Sequence, residues 1–254
     1  MITLPKTPSF RLNDKIALVT GGSSGIGQAC AAALAEYGAH VVIAARGQDR
    51  IAETVEAIHN AGGSAEGVEL DQSNIEAIKK LSEDKTFDII VNSAGLARHA
   101  PALTTQVEDY DAVMAVNLRS AHFLSVYAAE KMIAAGKAGS IIHISSQMGH
   151  IGGLDRSVYC ASKHGLEGMV KTMAIEWGAH NIRINTICPT FIRTPLTEQT
   201  FSRPERVKWI EEKIKLNRIG EVEDIMGTVV FLASDASALI TGTHILVDGG
   251  WTAG

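Results

Sequence analysis

Short apolar runs punctuate this chain, and within them polar and apolar residues do not alternate. They occupy residues 16–19, 41–44, 89–91, 141–144, 182–187 and 245–247, with a weaker candidate at 65–70. A strand with one face in water shows a two-residue alternation, so runs without it read as strands covered on both faces. Segments of helical length lie between them: the alanine-rich stretch 26–37, the helix-spaced Ile51, Val55 and Ile58, and residues 113–135, 163–179 and 225–233. Strand and helix in turn predict right-handed crossovers and an α/β fold: a doubly wound parallel sheet with helices on both faces. At 254 residues, 46% of them hydrophobic, the chain has material for one such domain over residues 1–254. No linker or repeat divides it.

Charge and composition exclude several classes of function. A net charge of −5 lacks the clustered cationic surplus of a nucleic-acid binder. No apolar run reaches the roughly 18 residues of a membrane helix, and residues 1–10 hold no signal-peptide core. A cytoplasmic protein is expected, with neither membrane nor nucleic acid as partner. Cys30, Cys160 and Cys188 are far apart and odd in number. They read as free thiols in a reducing compartment, and no metal site is expected from their spacing.

Directly after the first apolar run comes Thr20-Gly21-Gly22-Ser23-Ser24-Gly25-Ile26-Gly27, which opens the first helical segment. Glycines at such a turn let backbone approach a pyrophosphate, and the helix N-terminus favours its charge. The candidate contacts are Gly21, Ser23, Ser24, Gly25, Ile26 and Gly27. At the end of the second strand an acidic residue would bind an adenosine ribose hydroxyl and repel a 2′-phosphate. This chain has Ala45 there, then Arg46, whose guanidinium can pair with a phosphate. NADP(H) is therefore expected over NAD(H).

Tyr159 and Lys163 are four residues apart at the start of a helical segment, so they share a face. An ammonium beside a phenol favours the phenolate and lowers the phenol pKa from near 10 toward the working pH of an acid/base catalyst. Ser146, thirteen residues before the tyrosine, follows the run 141–144, where groups gather at the carboxyl ends of the strands. Its hydroxyl can hold a substrate oxygen. Ser145 competes with it, and strand alternation lets at most one of the two address the site. Cys160 reads as packing, and His143 as a satisfied buried histidine. His150 and Arg156 flank the site and either touch substrate or face solvent.

The Gly-x-x-x-Gly-x-Gly spacing, the preceding threonine and the Ser146, Tyr159, Lys163 set resemble the short-chain dehydrogenase/reductase family, from about residue 15 to residue 248. Asn92-Ser93-Ala94-Gly95 is similar to that family's Asn-Asn-Ala-Gly element. The resemblance implies a single-domain, Rossmann-type fold and a hydride-transferring enzyme. It casts Tyr159 as acid/base, Lys163 as pKa-lowering and ribose-binding, Ser146 (rather than Ser145) as substrate-orienting, and Asn117 as support for a water relay. It adds Asp71, Asn92, Ala94 and Gly95, together with Pro189, Ile192 and Thr194 near the nicotinamide, to the cofactor contacts. Thr190 departs from the family's usual glycine.

The stretch 190–217 takes the position of a substrate lid, in which Phe191, Phe201 and Trp209 either line the pocket or anchor the lid. An edge strand and an exposed Trp251 near the C-terminus point, with the resemblance, to a homotetramer. The substrate expected is a small alcohol or carbonyl compound, with polyols, sugars and sugar acids favoured. A 3-oxoacyl carrier-protein reductase is the alternative, although residues 176–180 offer little positive charge for docking a carrier protein. A regulator that only senses dinucleotide is the remote one, since it would be expected to lose Ser146, Tyr159 or Lys163.

Overall fold

A computed structural model describes residues 2–254, apart from the side chain of Gln199. The chain runs through β1 (Ile16–Thr20), α1 (Gly25–Glu36), β2 (His40–Ala45), α2 (Gln48–Asn60), β3 (Ser64–Glu69), α3 (Ile75–Asp84) and β4 (Ile89–Asn92). There follow α4 (Val107–Met114), α5 (Ser120–Ala134), β5 (Gly139–Ile144), α6 (Ser157–Trp177) and β6 (Ile182–Pro189). The last elements are α7 (Glu198–Phe201), α8 (Pro204–Lys213), α9 (Glu223–Ala233) and β7 (His244–Val247). The strands form one parallel seven-stranded sheet in the order β3-β2-β1-β4-β5-β6-β7.

The apolar runs fail to alternate because both faces of the sheet are covered. Leu18 and Val19 point to opposite faces, and both are wholly buried. Val19 joins Ile43, Val91 and Ile142 under α1, α2 and α9, with Leu34 and Val229 opposite. Leu18 joins Val42, Ile90 and Ile141 under α3, α5 and α6, with Leu124, Met132 and Val170 opposite. Truncating Leu18 or Leu34 to alanine would open a cavity costing about 2–5 kcal/mol. Among the described residues no helix is long and apolar enough to cross a membrane.

Two expectations are corrected. The stretch 113–135 is not one helix: a π-turn over Ala115–Arg119 separates α4 from α5, and it carries Asn117 at its centre. Such single-turn bulges re-aim a side chain out of the regular helical register. Trp251 is not exposed; it is 8% accessible within its own chain. It stacks on Phe191 and takes the edge of Trp209 at 5.7 and 5.3 Å between ring centroids. This satellite core includes Ile210, Ile214 and Ile219, with Phe201 against it. Of the two roles left open for Phe191, Phe201 and Trp209, anchoring the 190–217 segment is the one observed.

Candidate active site

The chain leaves β1 for β2 and β3 on one side, then returns to place β4 on the other side of β1. Helices diverge at such a switch point, and a crevice opens beyond the strand ends. A cleft of about 400 Å³ lies there, within the range of small-molecule sites. Its floor is the turn from Thr20 to Gly27. Gly21 has φ +66°, and a Cβ on it would stand 2.9 Å from the Ala94 amide nitrogen. A Cβ on Gly27 would meet the Gly21 carbonyl oxygen at 2.2 Å. Only hydrogens fit, so this turn and the loop after β4 close to backbone contact. Ser24 caps α1 without a side-chain hydrogen bond, which leaves amides of the first helical turn facing the cleft for an anion.

Gly21, Ser23, Ser24, Gly25, Ile26 and Gly27 line the cleft, as do Arg46, Asp71, Ala94, Gly95, Tyr159, Lys163, Pro189, Ile192 and Thr194. Ser73 donates from both its amide and its hydroxyl to the Asp71 carboxylate, at 2.9 and 2.8 Å. Those bonds, with a smaller effect of the Arg46 charge, hold Asp71 below the usual carboxylate range. A dinucleotide fits this donor set: open helix-end amides, an arginine at one wall, and the buried, unpartnered hydroxyl of Thr190 at the other.

At the far end of the cleft, β5 stops at Ile144 and the chain makes a short 3-10 turn capped by Ser146, whose hydroxyl accepts from the Met148 amide at 3.1 Å. Strand alternation ends with the strand, so Ser145 and Ser146 both line the cleft. The Ser145 hydroxyl is buried against Cys188, whereas that of Ser146 meets Tyr159. Burial raises the Tyr159 phenol; a hydrogen bond with Ser146 and the Arg156 charge act against it. Lys163 is 4% accessible, and its Nζ donates to the Ile144 carbonyl at 2.9 Å. It sits 5.7 Å from the Tyr159 ring centroid. Burial pushes the ammonium down to about 8, against the opposing Cys188 and Glu167. The lowering of Tyr159 expected from Lys163 is not among these influences, and desolvation of the phenol prevails over those of Ser146 and Arg156.

Asn117 and Asn92 stand outside the cleft wall. Asn117 accepts from the Leu96 amide at 2.8 Å, and donates to the Leu96 carbonyl at 2.9 Å and to the Ser162 hydroxyl at 3.1 Å. It fastens the loop after β4 to the residue preceding Lys163. Asn92, expected among the cofactor contacts, is spent in the core. Its Oδ1 accepts from Thr20 Oγ1 and Gln72 Nε2 at 2.8 and 2.7 Å, and its Nδ2 faces His143 Nδ1 at 3.0 Å. His143 Nε2 faces Ser125 Oγ at 2.9 Å, whose own proton goes to the Ala121 carbonyl at 2.8 Å. Both imidazole nitrogens are satisfied, as expected of a buried structural histidine.

Sequence reasoning missed Arg50, in the first turn of α2, which lines the cleft with Arg46; its signal was the four-residue spacing between the two arginines. His150 does not line the cleft. It gathers with Glu167 and Cys188, whose candidate ligand atoms all lie within 4.8 Å. Neighbours in space but not in sequence, they had no spacing to betray them. The Cys188 thiol donates to Glu167 Oε1 at 3.4 Å, and burial pushes it up to about 12.

A family profile described as enoyl-(acyl carrier protein) reductase matches residues 21–252. The 2-dehydro-3-deoxy-D-gluconate 5-dehydrogenase of Escherichia coli (strain K12) is 38% identical over 252 residues, which is 96% of this chain and 98% of that one. The D-threitol dehydrogenase of Mycolicibacterium smegmatis (strain ATCC 700084 / mc(2)155) is 38% identical, covering 96% and 95%. An Agrobacterium tumefaciens protein solved with bound NADP superposes with a TM-score of 0.94 at 40% identity, over 98% of this chain and 100% of that one.

Proposed function

The chain belongs to the short-chain dehydrogenase/reductase family, and on that premise we propose that it interconverts a hydroxyl and a carbonyl on a small polyol, sugar or sugar acid, with NADP(H) preferred over NAD(H). It is a nicotinamide-dependent oxidoreductase acting on CH–OH groups. The observation that carries the site assignment is the convergence of Ser146, Tyr159 and Lys163 at one end of a cleft whose other end is a phosphate-binding turn.

Gly21, Ser23, Ser24, Gly25, Ile26 and Gly27 would hold the pyrophosphate on backbone amides. Arg46 and Arg50 would face the adenosine side, with Asp71 near the adenine. Ala94, Gly95, Pro189, Ile192 and Thr194 would line the way to the nicotinamide. Bound there, the cofactor supplies or accepts the hydride that no side chain of the chain can carry. Ser146 orients the substrate oxygen. Tyr159, its proton retained by burial, delivers that proton to a carbonyl oxygen in reduction and takes one from the alcohol in oxidation. Lys163 keeps a positive charge beside the phenol at neutral pH, which favours the phenolate left after proton delivery. Asn117, bonded to Ser162, supports the proton path toward Lys163.

Residues 190–217 act as the substrate lid, hinged on the satellite core. Pro195, Leu196 and Thr197 already form part of the cleft wall. The uncovered edge of β7, where Leu246 is 38% accessible, suits burial in a homotetramer, and a cytoplasmic location fits the free thiols. The test is Tyr159→Phe, which removes the proton while keeping the ring. Turnover should fall by about three orders of magnitude or more, with NADPH binding by fluorescence unchanged. Retained turnover would refute the acid/base role.

A further inference from the structure

Beside Tyr159 stands Arg156, and Arg206 lies near enough to Arg156 to act on its charge. Arg156, at the N-terminal end of α6, donates from Nη1 to His99 Nε2 at 2.6 Å and lies over the Phe191 ring at 5.3 Å. His99 in turn sets its ring edge against Tyr159 at 5.8 Å between centroids. Arg206, on the α8 segment, lies 4.9 Å over Trp209. Among the described residues neither arginine has a carboxylate within the 4.0 Å of an ion pair. Arg98, Arg193 and Arg218 are paired, with Asp109, Glu221 and Asp224, whereas Arg46 and Arg50 at the cleft wall share, among the described residues, the unpaired state of Arg156 and Arg206.

The electrostatics agree. Burial, then the charge of Arg206, lowers Arg156, while Tyr159, Cys160 and Asp155 act the other way. Partial burial, then Arg156 and Arg206, pushes the His99 imidazole down to about 4, so it is neutral and accepts the Arg156 proton. A half-buried guanidinium that repels a second one, with a neutral imidazole and an aromatic ring as its contacts and the Asp155 carboxylate acting only from beyond ion-pair distance, is an unfavourable arrangement for an empty surface. It becomes favourable when an anion arrives.

Resting on the oxidoreductase reading, we propose that Arg156, oriented by His99 and aided by Arg206, is the subsite for the carboxylate of a sugar-acid substrate, and that it selects acids over neutral polyols. The planar fork of a guanidinium matches a planar carboxylate, and a ring over which it sits leaves its remaining N–H groups free to donate. Phe191 holds that fork from below and is itself fixed by Trp251. The hydroxyl to be oxidised then lies toward Tyr159, one helical turn along α6.

The test compares D-gluconate with sorbitol, the same carbon chain with and without the carboxylate, using NADP+ and following NADPH formation. The wild-type kcat/KM ratio should favour the acid. In Arg156→Gln that ratio should fall by about 10- to 100-fold, mainly through the KM for gluconate, as expected for loss of a charge-assisted pair. Arg156→Lys should retain an intermediate ratio, because the charge remains without the fork. Arg206→Gln, on the rim, should lower the ratio by a smaller factor and guards against misfolding of the first variant.

Gluconate should raise the melting temperature of the wild-type protein with NADP+, and should not raise that of Arg156→Gln. Equal loss on both substrates, a wild-type preference for sorbitol, or a preference for sorbitol 6-phosphate over gluconate would each overturn the carboxylate subsite and leave the oxidoreductase reading intact. If no alcohol or carbonyl is turned over, the oxidoreductase reading fails, while the gluconate-dependent thermal shift still decides whether Arg156 binds a carboxylate.

Discussion

Replacing Gly27 by alanine isolates the physical basis of the dinucleotide turn. The added Cβ would lie 2.2 Å from the Gly21 carbonyl oxygen and 2.7 Å from its carbonyl carbon, against an ordinary contact of about 3.5 Å. Neither atom belongs to a side chain that can rotate away. Gly21 cannot retreat either, since it already approaches the backbone of Ser93 and Ala94. Relief has to come from moving the turn off α1, at the upper end of the 1–3 kcal/mol typical of overpacking. A cost of about 3 kcal/mol lowers the melting temperature by roughly 6–12 °C for a chain of this size. If the turn opens instead, the cost appears as about a 100-fold loss of NADPH affinity.

Gly168→Ala in the middle of α6 is the contrast, because its Cβ meets nothing within 4 Å. It should stabilise the helix by about 0.5–1 kcal/mol. Thermal melts and NADPH fluorescence titrations on both variants read the two effects. A Gly27→Ala protein with a wild-type melting temperature and NADPH affinity within twofold would refute the reasoning.

Arg46→Ala and Arg50→Ala should each raise the KM for NADPH by about tenfold or more and leave NADH nearly unchanged; a wild-type enzyme that prefers NADH would overturn the assignment of both. His143, held down to about 3 by burial first and then by Lys163, titrates near 6.5 when unfolded. The unfolded chain therefore binds the extra proton as pH falls below about 6.5, and stability is lost toward pH 3, by about 2.7 kcal/mol at pH 4.5. His143→Gln should flatten that acid slope in urea titrations, and an unchanged slope would remove His143 as its cause. Light scattering should give about four times the 27.0 kDa chain mass, and a monomer at micromolar concentration would contradict burial of the β7 edge.

The fold was legible because both faces of the sheet are covered: Leu18 and Val19 each have a helix to meet, so the runs carry their own topology. The phosphate turn was legible because its glycines are contiguous and sit between a strand and a helix. What the sequence concealed depends on three-dimensional neighbours. Asn92 reads like a cofactor residue, but its amide is consumed by Thr20, Gln72 and His143, each contributed by a different part of the chain. The spacing of Tyr159 and Lys163 puts them on one face, yet spacing says nothing of the desolvation that raises the phenol. Arg156 was marked only as a flanking residue, because its meaning lies in what it lacks, a carboxylate, and in His99 from a distant loop.

These hidden features share a direction. The core network around Asn92 fixes the end of β4, and Asn117 fixes the loop that follows it, the loop that carries His99. Phe191 and Trp251 fix the opposite wall under Arg156. Groups that touch no substrate thus hold Arg156 and its neutral imidazole partner beside Tyr159. Selectivity for an acid here would be a property of the packing that positions a guanidinium, and could change without altering Ser146, Tyr159 or Lys163.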